Sequence, residues 1–537
     1  MNPQAPECLS PQAHKERGNA FLAAGNLEAA QACYRSAIAR DPLYAPAWNN
    51  LSHVLKEKQR WDEAEQAARK ALALEPALAM AWKNLAEVLS GKGCLDEAIA
   101  AWGAYLALQG DDIDALCACA RLHYRQRRLE EAQQLLWRAR EGDHASRTQQ
   151  TDIELGLANI ASERGDTEQA AQGFERLAQF HDEPRLRYYY QGCSARERQR
   201  WADVLDHLSR ALAMDPHHVG IRWDYAHVLL RMGQWREGFA HYEVRLDAQD
   251  ADYFPETTNM QALLPYPRWQ GESLQGKSLL LWMEQGFGDA LMMLRFVPRL
   301  LAQQPRTLSL LCEPHLQRLS RQIAGLGDIL ISPAQAAAQK MDFHCPLMSL
   351  PYRLEVEETE WAQNAAWVRP PAAMVEAWAP RWAGLTGKRI GLVWAGNPRH
   401  THNSQRSMAF AQLKPLWAIP GIDWISLQKT VSAPSPVADQ ALTDVMAQCA
   451  DFLDTAALIA HLDAVIGVDT AVIHLAASMG KPTVLLNANP GDWRWLIDRE
   501  DSPWYPTMRI FRQPAPGDWL SVIDALCLAL ARGDVWP

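Results

Sequence analysis

The stretch WNNLSHVLKEKQRWDEAEQAARKALALEP, residues 48 to 76, decides how the first half of this chain is read. It reads as a packed pair of helices. Ala64, Ala68 and Ala71 are small enough to let one helix approach the other, larger residues fill the gap between neighbouring pairs, and Pro76 ends the second helix because it cannot continue one. The pattern recurs outward in both directions. Ala30, Ala64, Ala98 and Ala132 are each 34 residues apart, as are Tyr34, Ala68, Trp102 and Leu136. Trp48 and Trp82, and Pro42 and Pro76, keep the same spacing. A polar stretch from Glu141 to Gln150 breaks the register and predicts a kink or loop, after which the period resumes at Ala170, Val204 and Gly238. These anchors predict seven repeats from Pro11 to Asp250. One such unit cannot bury its apolar face alone, so the array is expected to stack into an α-α superhelix with a concave groove.

Bulk properties narrow the function. A chain of 537 residues exceeds a single hydrophobic core, so two to four domains are expected. A formal charge of -10 argues against a general nucleic-acid binder, which would normally be basic. Ten Cys occur without a C-x-x-C pair or zinc-type spacing and read as free thiols in a reducing compartment. Residues Met1 to Gly18 are polar and lack an apolar signal core, and no apolar run reaches membrane-spanning length, so the expected location is cytoplasmic. The 22 Trp suit both repeat interfaces and sugar-stacking surfaces, and the count alone separates neither.

From Gly276 the period changes. Ser278 to Met283, Thr307 to Cys312 and Asp328 to Ser332 read as strands, with helices over Asp289 to Ala302 and Pro314 to Ala324. After a Pro- and Trp-rich connection, Trp367 to Thr386, a second series follows. Its strands are Arg389 to Trp394, Ile422 to Gln428, Ala464 to Val468 and Pro482 to Leu486, with a helix over Ala471 to Met479. A last helix, Trp519 to Ala531, fits either series. Such alternation predicts βαβ units and parallel sheets. Two Rossmann-like halves or one open sheet both satisfy the periodicity.

Two loops carry residues suited to chemistry. In Glu284-Gln285-Gly286-Phe287-Gly288-Asp289, Gly286 and Gly288 allow positive φ and close backbone approach, and Asp289 opens a helix at the carboxyl edge of a sheet. On the residues alone Asp289 reads first as a helix cap. In a carboxyl-end crevice the same carboxylate takes a proton from an acceptor hydroxyl. In Val468-Asp469-Thr470-Ala471-Val472-Ile473-His474, a strand delivers Asp469 and Thr470 to the start of a helix, whose free amides suit a diphosphate. Asp469 accepts hydrogen bonds from sugar or ribose hydroxyls, Thr470 caps the helix and touches phosphate, and His474 reads either as part of this site or as a core histidine.

These residues carry two resemblances. Trp48-x-x-Leu51 with Ala64, Ala68, Ala71 and Pro76, and Trp82-x-x-Leu85 with Ala98, Trp102 and Tyr105, resemble the tetratricopeptide repeat (TPR). Asn50 and Asn84 occupy equivalent positions and resemble rungs of the asparagine ladder with which TPR-containing O-GlcNAc transferases hold peptide backbone; the next rung is Ala118, and two Asn on a solvated face are the alternative. Gln285-Gly286-x-Gly288-Asp289, Asp469-Thr470-x-x-x-His474-Leu475-Ala476 and Gly480-Lys481-Pro482 resemble the heptosyltransferase-like GT-B glycosyltransferases. With Gly491-Asp492-Trp493-Arg494-Trp495 through Tyr505-Pro506, the chain is similar to bacterial TPR-fused members of that group, some of which act on flagellin.

The resemblance implies a TPR solenoid over residues 11–250, a linker over 251–275, an acceptor-side lobe over 276–370, a nucleotide-sugar lobe over 388–515 and a terminal helix over 516–537. It implies Asp289 as catalytic base and Asp469, Thr470 and His474 as the donor-binding loop. It places Arg406 near the diphosphate, where the group more often carries Lys, and the nucleotide near Asn397 and Gln428. Lys429 reads as surface charge. The expected reaction moves a sugar from a nucleotide-sugar to an acceptor hydroxyl on a protein or peptide held by the TPR groove, with no cofactor and no metal. A lipopolysaccharide or capsule acceptor, and a non-catalytic TPR scaffold, are the alternatives.

Overall fold

Helices pair in sequence up to Tyr242, and the first strand begins at Ser278. The computed structural model describes residues 9–142, 145–247, 253–363, 365–398, 403–429 and 442–536. Seven helix pairs occur among them: Pro11–Ala23 with Leu27–Arg40, Ala45–Glu57 with Trp61–Leu74, Ala79–Gly91 with Leu95–Gln109, Ile113–Arg125 with Leu129–Arg140, Arg147–Arg164 with Thr167–Phe180, Pro184–Glu197 with Trp201–Met214, and Val219–Arg231 with Trp235–Tyr242. The small-residue anchors of the 34-residue period face inward. Ala30, Ala64, Ala98, Ala132 and Ala170 are fully buried, and a methyl group at Gly238 would press on Leu230 at 2.8 Å.

A second periodicity escapes the sequence reading. Each pair turns through a residue with positive φ: Gly25, Gln59, Gly93, Arg127, Gly165, Gln199 and Gly233. Glycine fills four of the seven left-handed positions, and longer side chains tolerate the other three. The expected break after residue 140 is present. Ser146 caps the Arg147–Arg164 helix and forms a capping box with Gln149, so this helix starts inside the stretch expected to be irregular.

The chain divides into two compact units, Met1–His181 and Asp182–Pro537. The boundary therefore falls inside the helical array and not at its expected end near residue 250. The reason lies in the last pair: Leu230, Trp235 and Phe239 share one apolar core with Leu279 and Leu281 and with Val465 and Leu485. In addition, Arg245 forms a two-point ion pair with Glu284 at 2.8 Å, both side chains 1% exposed.

The second unit holds two parallel sheets. Strands β1 (Ser278–Trp282), β2 (Thr307–Leu311), β3 (Ile329–Leu330) and β4 (Phe343–Pro346) lie in the order β3-β2-β1-β4. Strands β5 (Lys388–Val393), β6 (Ile422–Ser426), β7 (Leu442–Asp444), β8 (Ala464–Val468), β9 (Thr483–Asn487) and β10 (Met508–Arg512) lie in the order β10-β9-β8-β5-β6-β7. One open sheet is thus excluded. The strands β1, β8 and β9 are buried throughout, as parallel strands covered on both faces must be. The helix expected over Asp289 to Ala302 is broken into Phe287–Met293, a 3-10 turn and Val297–Leu301, because Pro298 cannot donate within a continuous helix. The last helix, Trp519–Arg532, starts at the Asp518 cap, and Val522, Ile523 and Leu526 pack against Ile390, Ile466 and Val484 of the six-stranded sheet.

Candidate functional site

Each sheet has a point where strand order reverses, between β1 and β4 in one and between β5 and β8 in the other. Ligands of open parallel sheets bind outside the carboxyl ends of strands at such points. Both loops singled out from the sequence leave these ends.

The β1 loop is braced residue by residue. Glu284 is consumed by Arg245 and also accepts from the Met348 amide at 3.1 Å. Gln285 donates to the Tyr242 hydroxyl at 2.6 Å. Gly286 precedes the Phe287–Met293 helix with φ -62 and ψ 164, so positive φ is not why glycine stands there. Gly288 is needed for close approach: a methyl group on it would lie 2.7 Å from the His474 ring. Asp289 does not cap its helix. Its carboxylate, with a side chain 20% exposed, instead pairs with the Arg494 guanidinium.

The β8 loop is a charged cluster in a buried setting. Asp469 accepts from the Trp495 indole at 2.9 Å and lies 3.6 Å from Nε2 of His474. The other ring nitrogen of His474 is 2.9 Å from the Tyr505 hydroxyl. Burial works to raise the Asp469 carboxyl, but hydrogen bonding and charge from His474 outweigh it and hold it at about 2. Burial pulls His474 down, and the Tyr505 oxygen and Asp469 carboxylate overcome this, raising it to about 9. The histidine is therefore buried at 4% exposure and ion-paired at once, which reconciles the two sequence alternatives. Thr470 sits at the N-cap of the Ala471–Ser478 helix but makes no capping bond, and its hydroxyl is buried with no partner among the described residues.

Beyond β5, Gln428 accepts from the Trp394 and Ala395 amides at 3.2 and 2.9 Å and donates to the Ala395 carbonyl at 3.0 Å. Its side-chain oxygen and one amide N–H thus brace the loop after β5. Asn397 is exposed farther along that loop. Arg406 packs on Gly396, where a methyl group would lie 2.9 Å from its guanidinium, and its charge adds to the forces that keep Asp469 low. Lys429 is exposed, in keeping with its reading as surface charge, and its ammonium donates to the Cys449 carbonyl at 3.4 Å.

Sequence reasoning missed Arg494 as a site residue. It follows β9, is 7% exposed, stacks 4.3 Å over the Trp493 ring and pairs with Asp492 at 2.7 Å as well as with Asp289. The signal available was the Gly491 to Trp495 stretch, quoted only for its likeness. In the first unit, Asn84 is buried and donates to the Asn49 side chain at 2.9 Å, while Asn50 donates to Asn19 at 2.8 Å. These amides are spent on one another; Asn84 is neither a solvated residue nor an open rung for peptide.

Among the described residues, no group of three or more His, Cys, Asp or Glu is arranged to hold a metal ion, and no helix is long and apolar enough to cross a membrane.

A helical-repeat array joined to two parallel sheets whose carboxyl-end loops meet in one charged cluster is the class this structure defines. Residues 439–513 match glycosyltransferase family 9 (heptosyltransferase), and residues 15–79 and 50–114 match the tetratricopeptide repeat. The chain thus combines stretches similar to tetratricopeptide repeats with a later stretch similar to glycosyltransferase family 9. It is 28% identical over 331 residues to Protein FlbA of Caulobacter vibrioides, a match covering 57% of this chain and 54% of that protein, so it spans about half the length of that relative. Similar solved structures include a tetratricopeptide repeat protein from Parabacteroides merdae, with TM-score 0.40 and 15% identity over 46% of this chain and 97% of that one. PilF of Pseudomonas aeruginosa gives TM-score 0.34 and 17% identity over 40% and 94%.

Proposed function

We propose that this chain is a glycosyltransferase of GT-B arrangement that moves a sugar from a nucleotide-sugar to an acceptor hydroxyl, with a protein such as flagellin as the acceptor engaged by the repeats. The observation that carries the reading is the meeting of the two loops: Gly288 lies against His474, and Asp289 reaches Arg494 beside the Asp469 loop.

In this reading the nucleotide-sugar lies along the carboxyl ends of β5 and β8. The first-turn amides of the Ala471–Ser478 helix, the unpartnered Thr470 hydroxyl and Arg406 face its phosphates. The Asp469 carboxylate, fixed by His474 and Trp495, accepts from hydroxyl groups of the donor. The acceptor oxygen forms a bond to the anomeric carbon as the bond from that carbon to the phosphate oxygen breaks. The electron pair leaves with the nucleotide, and the hydroxyl proton passes to Asp289. Positioned proton transfer of this kind contributes about 10²–10⁴-fold, and charge developing on phosphate is met by guanidinium and amide donors already in place. Metal independence, the nucleotide, the sugar and a cytoplasmic setting belong to this proposal.

The test is calorimetry of the full chain with UDP-, GDP-, ADP- and CMP-sugars. One nucleotide class is expected to bind, and Asp469→Ala is expected to weaken it. Failure of every class to bind would instead support a non-catalytic scaffold.

A further inference from the structure

The carboxylate assigned as base is occupied. Asp289, in the loop after β1, is ion-paired to Arg494, in the loop after β9, and Arg494 is simultaneously fixed by Asp492 through both its side chain and its backbone amide. The guanidinium sits on one carboxylate oxygen, Oδ1 of Asp289, and there competes with an incoming hydroxyl. Arg494 is also next in sequence to Trp495, which holds Asp469, so it borders the proposed phosphate site. Three buried polar atoms there lack a hydrogen-bond partner among the described residues: Nε of Arg494, Nε of Arg406 and Oγ1 of Thr470. Buried polar groups are rarely left unsatisfied, and three donors around one loop fit an anionic oxygen ligand.

We infer that Arg494 is a donor-operated latch: the resting site keeps Asp289 on the guanidinium, and the phosphates of the nucleotide take that place, releasing Asp289 to accept the hydroxyl proton. Arg494 then serves as a phosphate ligand that meets the charge of the leaving nucleotide, and Asp492 keeps it aimed in both states. The exchange makes the base available only when donor is present, so acceptor is not deprotonated in an empty site. This inference rests on the donor reading above and adds to it a residue and an order of events.

The exchange predicts that Asp289 and nucleotide compete for one guanidinium. Removing the competitor should therefore tighten binding, whereas a purely structural ion pair would give no gain. The experiment is calorimetry of UDP, GDP, ADP and CMP on the full chain and on Asp289→Asn, Arg494→Lys and Arg494→Gln. Asp289→Asn is expected to bind the preferred nucleotide about tenfold tighter, the resting pair no longer reducing the competent fraction. Arg494→Gln is expected to weaken it by about tenfold or more, with Arg494→Lys between, since a point charge replaces a two-point fork. The parent nucleoside, lacking phosphate, should bind wild type and Asp289→Asn alike. Unchanged or weaker nucleotide binding by Asp289→Asn, with wild type binding normally, would overturn the latch and leave the donor site standing. Absence of nucleotide binding by wild type would overturn both. Asp289→Asn is a half-buried isostere, so its result stands even if Arg494 variants fail to fold.

Discussion

Gly288 and the His474 imidazole are in contact across the two sheets, so closely that a methyl group at residue 288 would stand 2.7 Å from Cδ2 and 3.2 Å from Nε2 of the ring. That nitrogen is the one facing Asp469. The fit joins the loop carrying Asp289 to the loop carrying Asp469.

Replacing Gly288 with Ala should accordingly push the ring off its Asp469 partner. Overpacking of this kind costs about 1–3 kcal/mol. A urea melt should show that loss, and nucleotide binding should fall with it. A variant of wild-type stability and affinity would mean that the two loops are not held by this contact.

The His474–Asp469 pair gives stability a pH dependence. A histidine raised from 6.5 to about 9 on folding contributes stability that is full below 6.5 and lost as pH climbs through about 9. The Asp469 side of the same interaction, held at about 2, is full above 3.8 and lost as acid passes through about 2. The two describe one pair and do not add. Melting temperature measured between pH 6.5 and 9.5 should fall, and His474→Gln should flatten that slope; an unchanged slope would contradict the pairing.

Arg245 and Glu284 are both removed from water, and breaking such a pair by deleting one partner costs about 3–5 kcal/mol because a buried charge is left behind. Glu284→Gln should fall toward the lower end, since Arg245 keeps Glu243 at 3.0 Å. Chemical denaturation of the full chain measures this, and a change within error would mean that the ion pair is not a structural link.

At the helix-pair turns, Gln59 and Arg127 adopt φ of 56 and 62 where Gly25 and Gly93 stand in other repeats. A side chain in that region is strained, and glycine is not. Gln59→Gly is expected to stabilise the chain by about 0.5–1 kcal/mol after the greater entropy of glycine in the unfolded state is counted. Thermal melts of Gln59→Gly and Arg127→Gly check the sign; destabilisation would refute the turn argument.

The period of Ala30, Ala64, Ala98 and Ala132 was legible because helix pairing repeats a local packing problem at fixed spacing. Strands β4, β7 and β10 were not, being three to five residues long and lacking a flanking apolar period. The loops of Asp289 and Asp469 were legible from strand-to-helix transitions. Their partners were not, because Arg494 meets Asp289 across 205 residues of sequence and no local pattern encodes that meeting. Asn84 misled for a related reason: a polar residue at a repeated position looks exposed, yet its neighbour Asn49 supplies a buried partner. Gln428 was legible as a strand-end residue, whereas its bonds to Trp394 and Ala395, more than thirty residues away, were not.

The most direct measurement is single-turnover sugar transfer by folded Asp289→Asn, with the donor class found by calorimetry and saturating nucleotide-sugar. A carboxylate acting as base predicts a fall of about 10²–10⁴-fold in the transfer rate while donor binding persists. Turnover at the wild-type rate would contradict the account, because no proton acceptor at residue 289 would then be needed.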